Sequence, residues 1–226
     1  RVFVFVRLPD GSWVESAVLV PGDAELTDSF GAELATDGET LLVSAYGDDG
    51  ETGSVRVFRR DALGTADPLD DLWLEAAKLT AGDALPGARF GRSLALDGET
   101  ALIGADLESE VLGSVYVFER VSQAPESWVE TAKLVVPGGW FGWSVSLSGD
   151  VAVAGAPREG SGRAYVFERD DAGTPGDPTD DTWPQVERLH NLTSGVNDHF
   201  GSSVAVWKDT IAVGAPEDDD GCAELP

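Results

Sequence analysis

The dipeptide Phe-Gly occurs at Phe30-Gly31, Phe90-Gly91, Phe141-Gly142 and Phe200-Gly201. Its period of roughly 50 to 60 residues is that expected of propeller blades. Fourteen residues after each phenylalanine a small pair closes an apolar run: Ser44-Ala45, Gly104-Ala105, Gly155-Ala156 and Gly214-Ala215. A fixed offset kept four times implies a repeated fold unit.

Two short apolar stretches lie between these marks, as in Leu94-Ala95-Leu96 and Ala101-Leu102-Ile103. Asp97-Gly98 splits them, and Asp37-Gly38 does the same in the first repeat; such dipeptides suit a two-residue hairpin. A third stretch follows a glycine and alternates, as in Gly53-Ser54-Val55-Arg56-Val57-Phe58 and Gly113-Ser114-Val115-Tyr116-Val117-Phe118. A fourth runs from a tryptophan to a leucine six residues on: Trp13 to Leu19, Trp73 to Leu79, Trp128 to Leu134 and Trp183 to Leu189. Pro184 falls within the last of these, so strand four is expected at the outer edge, where a missing N–H faces no partner.

The pattern predicts an all-β chain, a β-propeller of four-stranded antiparallel blades. Residues 1–20 supply strands three and four of one blade. Residues 21–80, 81–135 and 136–190 supply three full repeats, and 191–226 supply strands one and two. The two halves either pair as a shared fourth blade, which would remove exposed sheet edges, or belong to a larger ring.

Phe200-Gly201-Ser202-Ser203-Val204-Ala205 through Val213-Gly214-Ala215-Pro216 resembles the motif of the FG-GAP repeats of integrin α-chains, and weaker copies cover nearly the whole chain. The resemblance implies an extracellular or cell-surface propeller, commonly seven-bladed, that binds protein or sugar ligands, often with calcium. The Asp-x-Asp-x-Asp-Gly-like calcium loop of integrin-type repeats, between strands one and two, is missing here. Only Asp37-Gly38, Asp97-Gly98, Ser148-Gly149-Asp150 and Lys208-Asp209 stand there, too few for six oxygen ligands.

With 41 acidic and 15 basic residues the net charge is −26. Nucleic acid and anionic membranes would be repelled. No stretch approaches the roughly 18 apolar residues of a membrane span, and the single Cys222 excludes an internal disulfide framework. The acidity fits a surface hydrated in salt, or calcium held by clustered carboxylates. Candidate metal ligands are Asp48, Asp49, Asp218, Asp219 and Asp220, although Asp and Gly also populate turns for conformational reasons. The similar loops Asp67 to Asp71 and Asp177 to Asp181 are expected to be solvated.

In an antiparallel blade the loops from strand two to three and from four to one share a face. That face would present Tyr46, Asp48, Asp49, Glu51, Glu108, Trp140, Arg158, Asp198 and His199. Trp140 and Trp143 flank one Phe-Gly and would stack on a sugar, anchor a protein, or fill inter-blade space. Neither His190 nor His199 has a recognisable partner for base catalysis, and Ser93, Ser144 and Ser203 recur in one column, which marks them as structural. A binding or adhesion module is therefore expected, with a structural spacer or surface-layer component as the alternative and a carboxylate-based hydrolase as a second. A unique cluster of buried acids would favour the enzyme, an exposed patch with aromatics the binding module, and a featureless charged face the spacer.

Overall fold

The structure, a computed structural model, describes residues 1–23, 25, 27–65, 67–107, 112–123, 126–174, 176–191 and 198–218. Glu108, Asp219, Asp220 and Cys222 lie outside them. The chain opens with β1 (Val2–Arg7) and β2 (Trp13–Leu19). The first blade comprises β3 (Leu34–Thr36), β4 (Thr40–Ala45), β5 (Ser54–Asp61) and β6 (Leu72–Leu79), with a single kinked turn, α1 (Asp48–Glu51), between β4 and β5. The second has β7 (Ser93–Asp97), β8 (Thr100–Ala105), β9 (Ser114–Gln123) and β10 (Glu126–Leu134). The third has β11 (Ser144–Ser148), β12 (Val151–Ala156), β13 (Arg163–Glu168) and β14 (Gln185–Leu189), and β15 (Ser203–Trp207) and β16 (Thr210–Gly214) follow. These are blades of a β-propeller: each complete one is a four-stranded sheet in sequence order, with every neighbouring pair antiparallel.

The strand roles follow from burial. In the three complete blades strand two is the best covered strand, and β4 and β8 are buried along their whole length. Strand four is the edge; β14 begins only after Pro184, and Trp183 before it is buried. At the Val-Phe step of strand three the register to strand four slips in every blade, at Val4/Phe5, Val57/Phe58, Val117/Phe118 and Val166/Phe167. A repeated bulge of this kind twists an outer edge away from further pairing.

The expected hairpins form one residue later than the Asp-Gly dipeptides suggest. Asp97 pairs Thr100, so Gly98 (φ +60°) and Glu99 are the two loop residues, and Gly149-Asp150 and Lys208-Asp209 are placed alike. Glycine leading a two-residue loop suits a type II′ turn. In the first blade the last pair is Thr36 with Leu41, and Asp37 Oδ1 accepts from the backbone N–H groups of Glu39 and Thr40.

The fourteen-residue offset has a direct cause. The Phe-Gly glycine donates its N–H to the carbonyl of the small residue fourteen positions after the phenylalanine: Gly31 to Ser44, Gly91 to Gly104, Gly142 to Gly155 and Gly201 to Gly214, at 2.9–3.0 Å. Phe90 and Phe141 are fully buried and meet strand-three rings of their own blades, Phe90 with Tyr116 at 5.3 Å and Phe141 with Tyr165 at 5.7 Å. Glycine is required where blades meet. A Cβ on Gly155 would stand 1.9 Å from the Gly201 carbonyl oxygen, and one on Gly104 2.1 Å from that of Gly142. The recurrent serines lie at the same seams: Ser93 and Ser144 donate to the Gly142 and Gly201 carbonyls at 2.8 and 2.9 Å.

Among the described residues β1–β2 and β15–β16 are separate two-stranded sheets, not paired as a shared fourth blade. Each covers its apolar face on the blade adjacent in sequence. Val2 and Val4 pack with Leu41, Val43 and Phe58 of the first blade, whereas Val204, Val206 and Ile211 pack with Val153 and Val166 of the third.

The long acidic loops are not wholly solvated. Asp71 and Asp181 are buried, and each holds an arginine from the end of strand three, Arg60 Nε and Arg169 Nε, at 2.6 Å. Burial without a cation would be costly for a carboxylate, so the ion pair is what lets these loops turn inward.

Candidate functional site

Phe-Gly forms the centre of a β-turn in each blade. The N–H of the residue after glycine bonds the carbonyl of the residue before phenylalanine: Ala32 to Ser29, Arg92 to Arg89, Trp143 to Trp140 and Ser202 to His199, at 3.0–3.1 Å. The glycines have φ between +85° and +95°, the type II geometry that needs glycine at the third position. The first residue of each turn is itself left-handed although never glycine: Ser29 (+57°), Arg89 (+59°), Trp140 (+61°) and His199 (+54°). Such a conformation costs about 1–2 kcal/mol for a residue with a Cβ.

The first and fourth residues of a turn lie close together. Each blade therefore presents a pair of side chains just before its strand one: Ser29 and Ala32, Arg89 and Arg92, Trp140 and Trp143, His199 and Ser202. The backbone is repeated four times while the pairs differ completely.

The later pairs touch across blades. Arg92 Cζ lies 4.1 Å over the Trp143 ring, Trp143 stacks on Trp140 at 5.2 Å with planes 17° apart, and Arg158 Cζ lies 4.7 Å from the Trp140 centroid. Cation–π attraction of this kind is worth about 0.5–2 kcal/mol depending on exposure. A cleft of about 170 Å³ lies beside the stack, between the third blade and β15–β16. The blade contributes Trp140, Trp143, Pro157 and Arg158; the half-blade contributes His199, Ser202, Pro216 and Glu217. His199 Nδ1 stands 3.0 Å from Glu217 Oε1.

Behind Arg92 lies Asp106, whose side chain is 1% exposed and 4.0 Å from Arg92 Nε. Its oxygens have no hydrogen-bond donor among the described residues, and burial pushes its carboxyl up despite the nearby charges of Arg92 and Arg89. Arg92 also faces Glu33 of the first blade at 3.9 Å.

The first blade contributes an acidic bowl of about 640 Å³, lined by Asp23, Asp28, Asp48, Asp49, Glu51 and Lys78. Asp48 is already engaged: Lys78 Nζ is 2.8 Å away, Arg56 3.8 Å, and the Ser54 hydroxyl donates to it at 2.6 Å. Burial pushes its carboxyl up, but Lys78, Ser54 and Arg56 outweigh that and hold it below the usual carboxylate range. Glu51 faces Arg89 at 3.2 Å.

The sequence-named residues thus divide into two groups. Asp48, Asp49 and Glu51 share the bowl, and half-buried Tyr46 precedes it; Trp140, Arg158 and His199 share the cleft. Asp198 is buried at 2% exposure beneath His199 and is not presented to solvent. Asp218 accepts from Asn191 Nδ2 at 2.5 Å. Among the described residues no group of three or more His, Cys, Asp or Glu side chains is placed to hold a metal ion. Glu217, expected on this face as the start of the acidic loop running to Asp220, lines the cleft, whereas Arg92, Ser202 and Pro216 were not among the expected site residues. The flanks of Phe-Gly, read as one column in every repeat, would have found Arg92 and Ser202.

No helix among the described residues is long and apolar enough to cross a membrane. No curated protein matches the chain. The family model of the FG-GAP repeat matches residues 13–58, 73–118, 128–167 and 183–224. Each match starts at or beside strand four of one sheet and continues into the next, so the sequence repeat straddles two blades. With these matches across most of its length, the chain belongs to the FG-GAP repeat family.

Proposed function

We propose that this chain is an extracellular or cell-surface binding module, not an enzyme, which recognises a protein or carbohydrate ligand through the face carrying the four Phe-Gly turns. One observation supports this above the others. An identical left-handed turn recurs in each blade, yet the side chains it presents are Ser/Ala, Arg/Arg, Trp/Trp and His/Ser. A purely structural spacer has no need for unlike residues at positions of constant geometry, whereas a ligand face does.

The half-exposed Trp140 and Trp143 are an aromatic patch of the kind that anchors ligands. A carboxylate-based hydrolase would need two acids flanking an open cleft. The buried acids Asp71 and Asp181 instead each hold an arginine of their own blade, and Glu119 faces Arg169 across a seam. The net charge of −26 suits a hydrated surface in salt water.

The test is a panel of immobilised oligosaccharides and surface proteins probed with the chain and with its Trp140→Ala and Arg89→Ala variants. Binding that either variant weakens at least tenfold, with cooperative unfolding retained, supports the reading. Binding indifferent to both would place the ligand elsewhere and refute it.

A further inference from the structure

We infer that the cleft between the third blade and β15–β16 takes a sugar ring bearing a carboxylate, a hexuronic acid residue of an acidic glycan. The inference rests on the reading of this face as a ligand face and adds the chemical class.

Arg158 supplies the first argument. In a chain with 41 acidic and 15 basic residues, eight of the twelve arginines stand within 4.0 Å of a carboxylate among the described residues. Arg158 is exposed and, among the described residues, is paired with no carboxylate; its guanidinium lies 4.7 Å from the Trp140 ring centroid. Packing against an aromatic fixes the guanidinium while its N–H fork stays available, and that fork matches a carboxylate in two parallel hydrogen bonds.

Glu217 supplies the second. It is 63% exposed on the half-blade side of the same cleft, with His199 as its neighbour. An acidic peptide side chain would satisfy Arg158 but bring an anion next to Glu217 with no donor for it. A sugar ring brings hydroxyl donors as well as the carboxylate. Ser202, whose hydroxyl donates to the His199 carbonyl at 2.7 Å, keeps lone pairs free to accept from the same ring.

Shape agrees with the chemistry. Trp140, Trp143, Pro157 and Pro216 are rigid apolar walls, and about 170 Å³ is well below the roughly 300 Å³ at which drug-sized pockets begin, so the cleft suits a single ring. The overall negative charge opposes a polyanion at long range. At about 0.15 M salt that repulsion is screened beyond roughly 8 Å, so recognition is left to these contacts.

Tryptophan fluorescence and calorimetric titration at physiological salt test the inference. The probes are galacturonate, glucuronate and mannuronate tetrasaccharides, their carboxyl-reduced neutral counterparts, and a tetraglutamate peptide. At least one uronate is expected to bind at least tenfold more tightly than its neutral counterpart. Arg158→Ala should remove that preference, Arg158→Lys should restore part of it, and any fall in melting temperature should stay within the few degrees that loss of the Trp140 contact accounts for. Equal binding of acidic and neutral sugars, lost in Trp140→Ala, overturns the ligand class but keeps the face. Binding of tetraglutamate alone overturns it in favour of a protein partner. Silence from every probe overturns the cleft as a sugar site, while the Trp140→Ala and Arg89→Ala panel still decides whether the face binds anything.

Discussion

Glu119, at the seam between the second and third blades, makes stability depend on pH in a direction opposite to that of an ordinary salt-bridged acid. Its side chain is 2% exposed. The Thr100 hydroxyl donates to both its oxygens, at 2.9 and 3.1 Å, and Arg169 approaches to 3.6 Å. Burial pushes its carboxyl up to about 7 from 4.5; Thr100 and Arg169 pull it partly back, and Asp181 and Glu99 push it further up. A group whose folded pKa is raised stabilises the fold fully below about pH 4.5, and that contribution is lost as pH rises through about 7. At about 1.4 kcal/mol per pH unit the whole effect is about 3 kcal/mol, of which about 2 kcal/mol falls between pH 5 and pH 8.

Glu119→Gln keeps the shape and the acceptor for Thr100 but cannot ionise. Urea unfolding of both proteins at constant ionic strength should show the wild type losing about 2 kcal/mol relative to the variant between pH 5 and pH 8. Asp106, also pushed up by burial, titrates in both proteins and cancels in the difference. Asp23, Asp48 and Asp83 have lowered pKa values and act only at more acid pH. A difference that stays flat across this range would refute the reasoning.

Three further predictions follow from the seams and loops. Gly155→Ala drives a Cβ to within 1.9 Å of the Gly201 carbonyl and should cost more than about 2 kcal/mol, whereas Gly149→Ala, left-handed but in open space, should cost about 1 kcal/mol; chemical denaturation separates them. Asp181→Ala strips Arg169 of its hydrogen-bonded carboxylate, leaving Glu119 at 3.6 Å, and should cost roughly 2–3 kcal/mol, against at most about 1 kcal/mol for the exposed neighbour Asp180→Ala. Because Lys78 and Arg56 already neutralise Asp48, millimolar calcium should raise the melting temperature of the wild type less than that of Lys78→Ala, as read by calorimetry with chelator as the control.

The fold was legible because its marks are local and repeated. Phe-Gly, the small pair fourteen residues on, the alternating third stretch and the tryptophan-led fourth each report a backbone requirement that recurs in every blade. Pro184 located the outer edge for the same kind of reason. The buried Asp71 and Asp181 were hidden by their setting in loops rich in Asp, Pro and Thr, a composition that reads as solvated. A subtler signal was present: an acid two residues before the strand-four tryptophan, and an arginine two residues after the strand-three phenylalanine. Arg60 with Asp71, Arg120 with Glu126 and Arg169 with Asp181 all fit it.

The site was legible only in part, because the cleft is formed between repeats. Trp140 and Arg158 stand eighteen residues apart in one blade, yet His199 and Glu217 reach them from the next sheet. Only the seam geometry says which side of His199 faces them, and it also turns Asp198, its neighbour in sequence, inward. Position in a polar loop gave no means of separating the two.

The central claim is that the Phe-Gly turn pairs form the ligand face, and the seven tryptophan indole N–H signals report on it directly. In a two-dimensional NMR titration with the tightest-binding oligosaccharide of the panel, the Trp140 and Trp143 signals should shift, while those of Trp13, Trp73, Trp128, Trp183 and Trp207 stay in place. Shifts confined to Trp13 or Trp207, on the exposed half-blades away from the turns, would contradict the account.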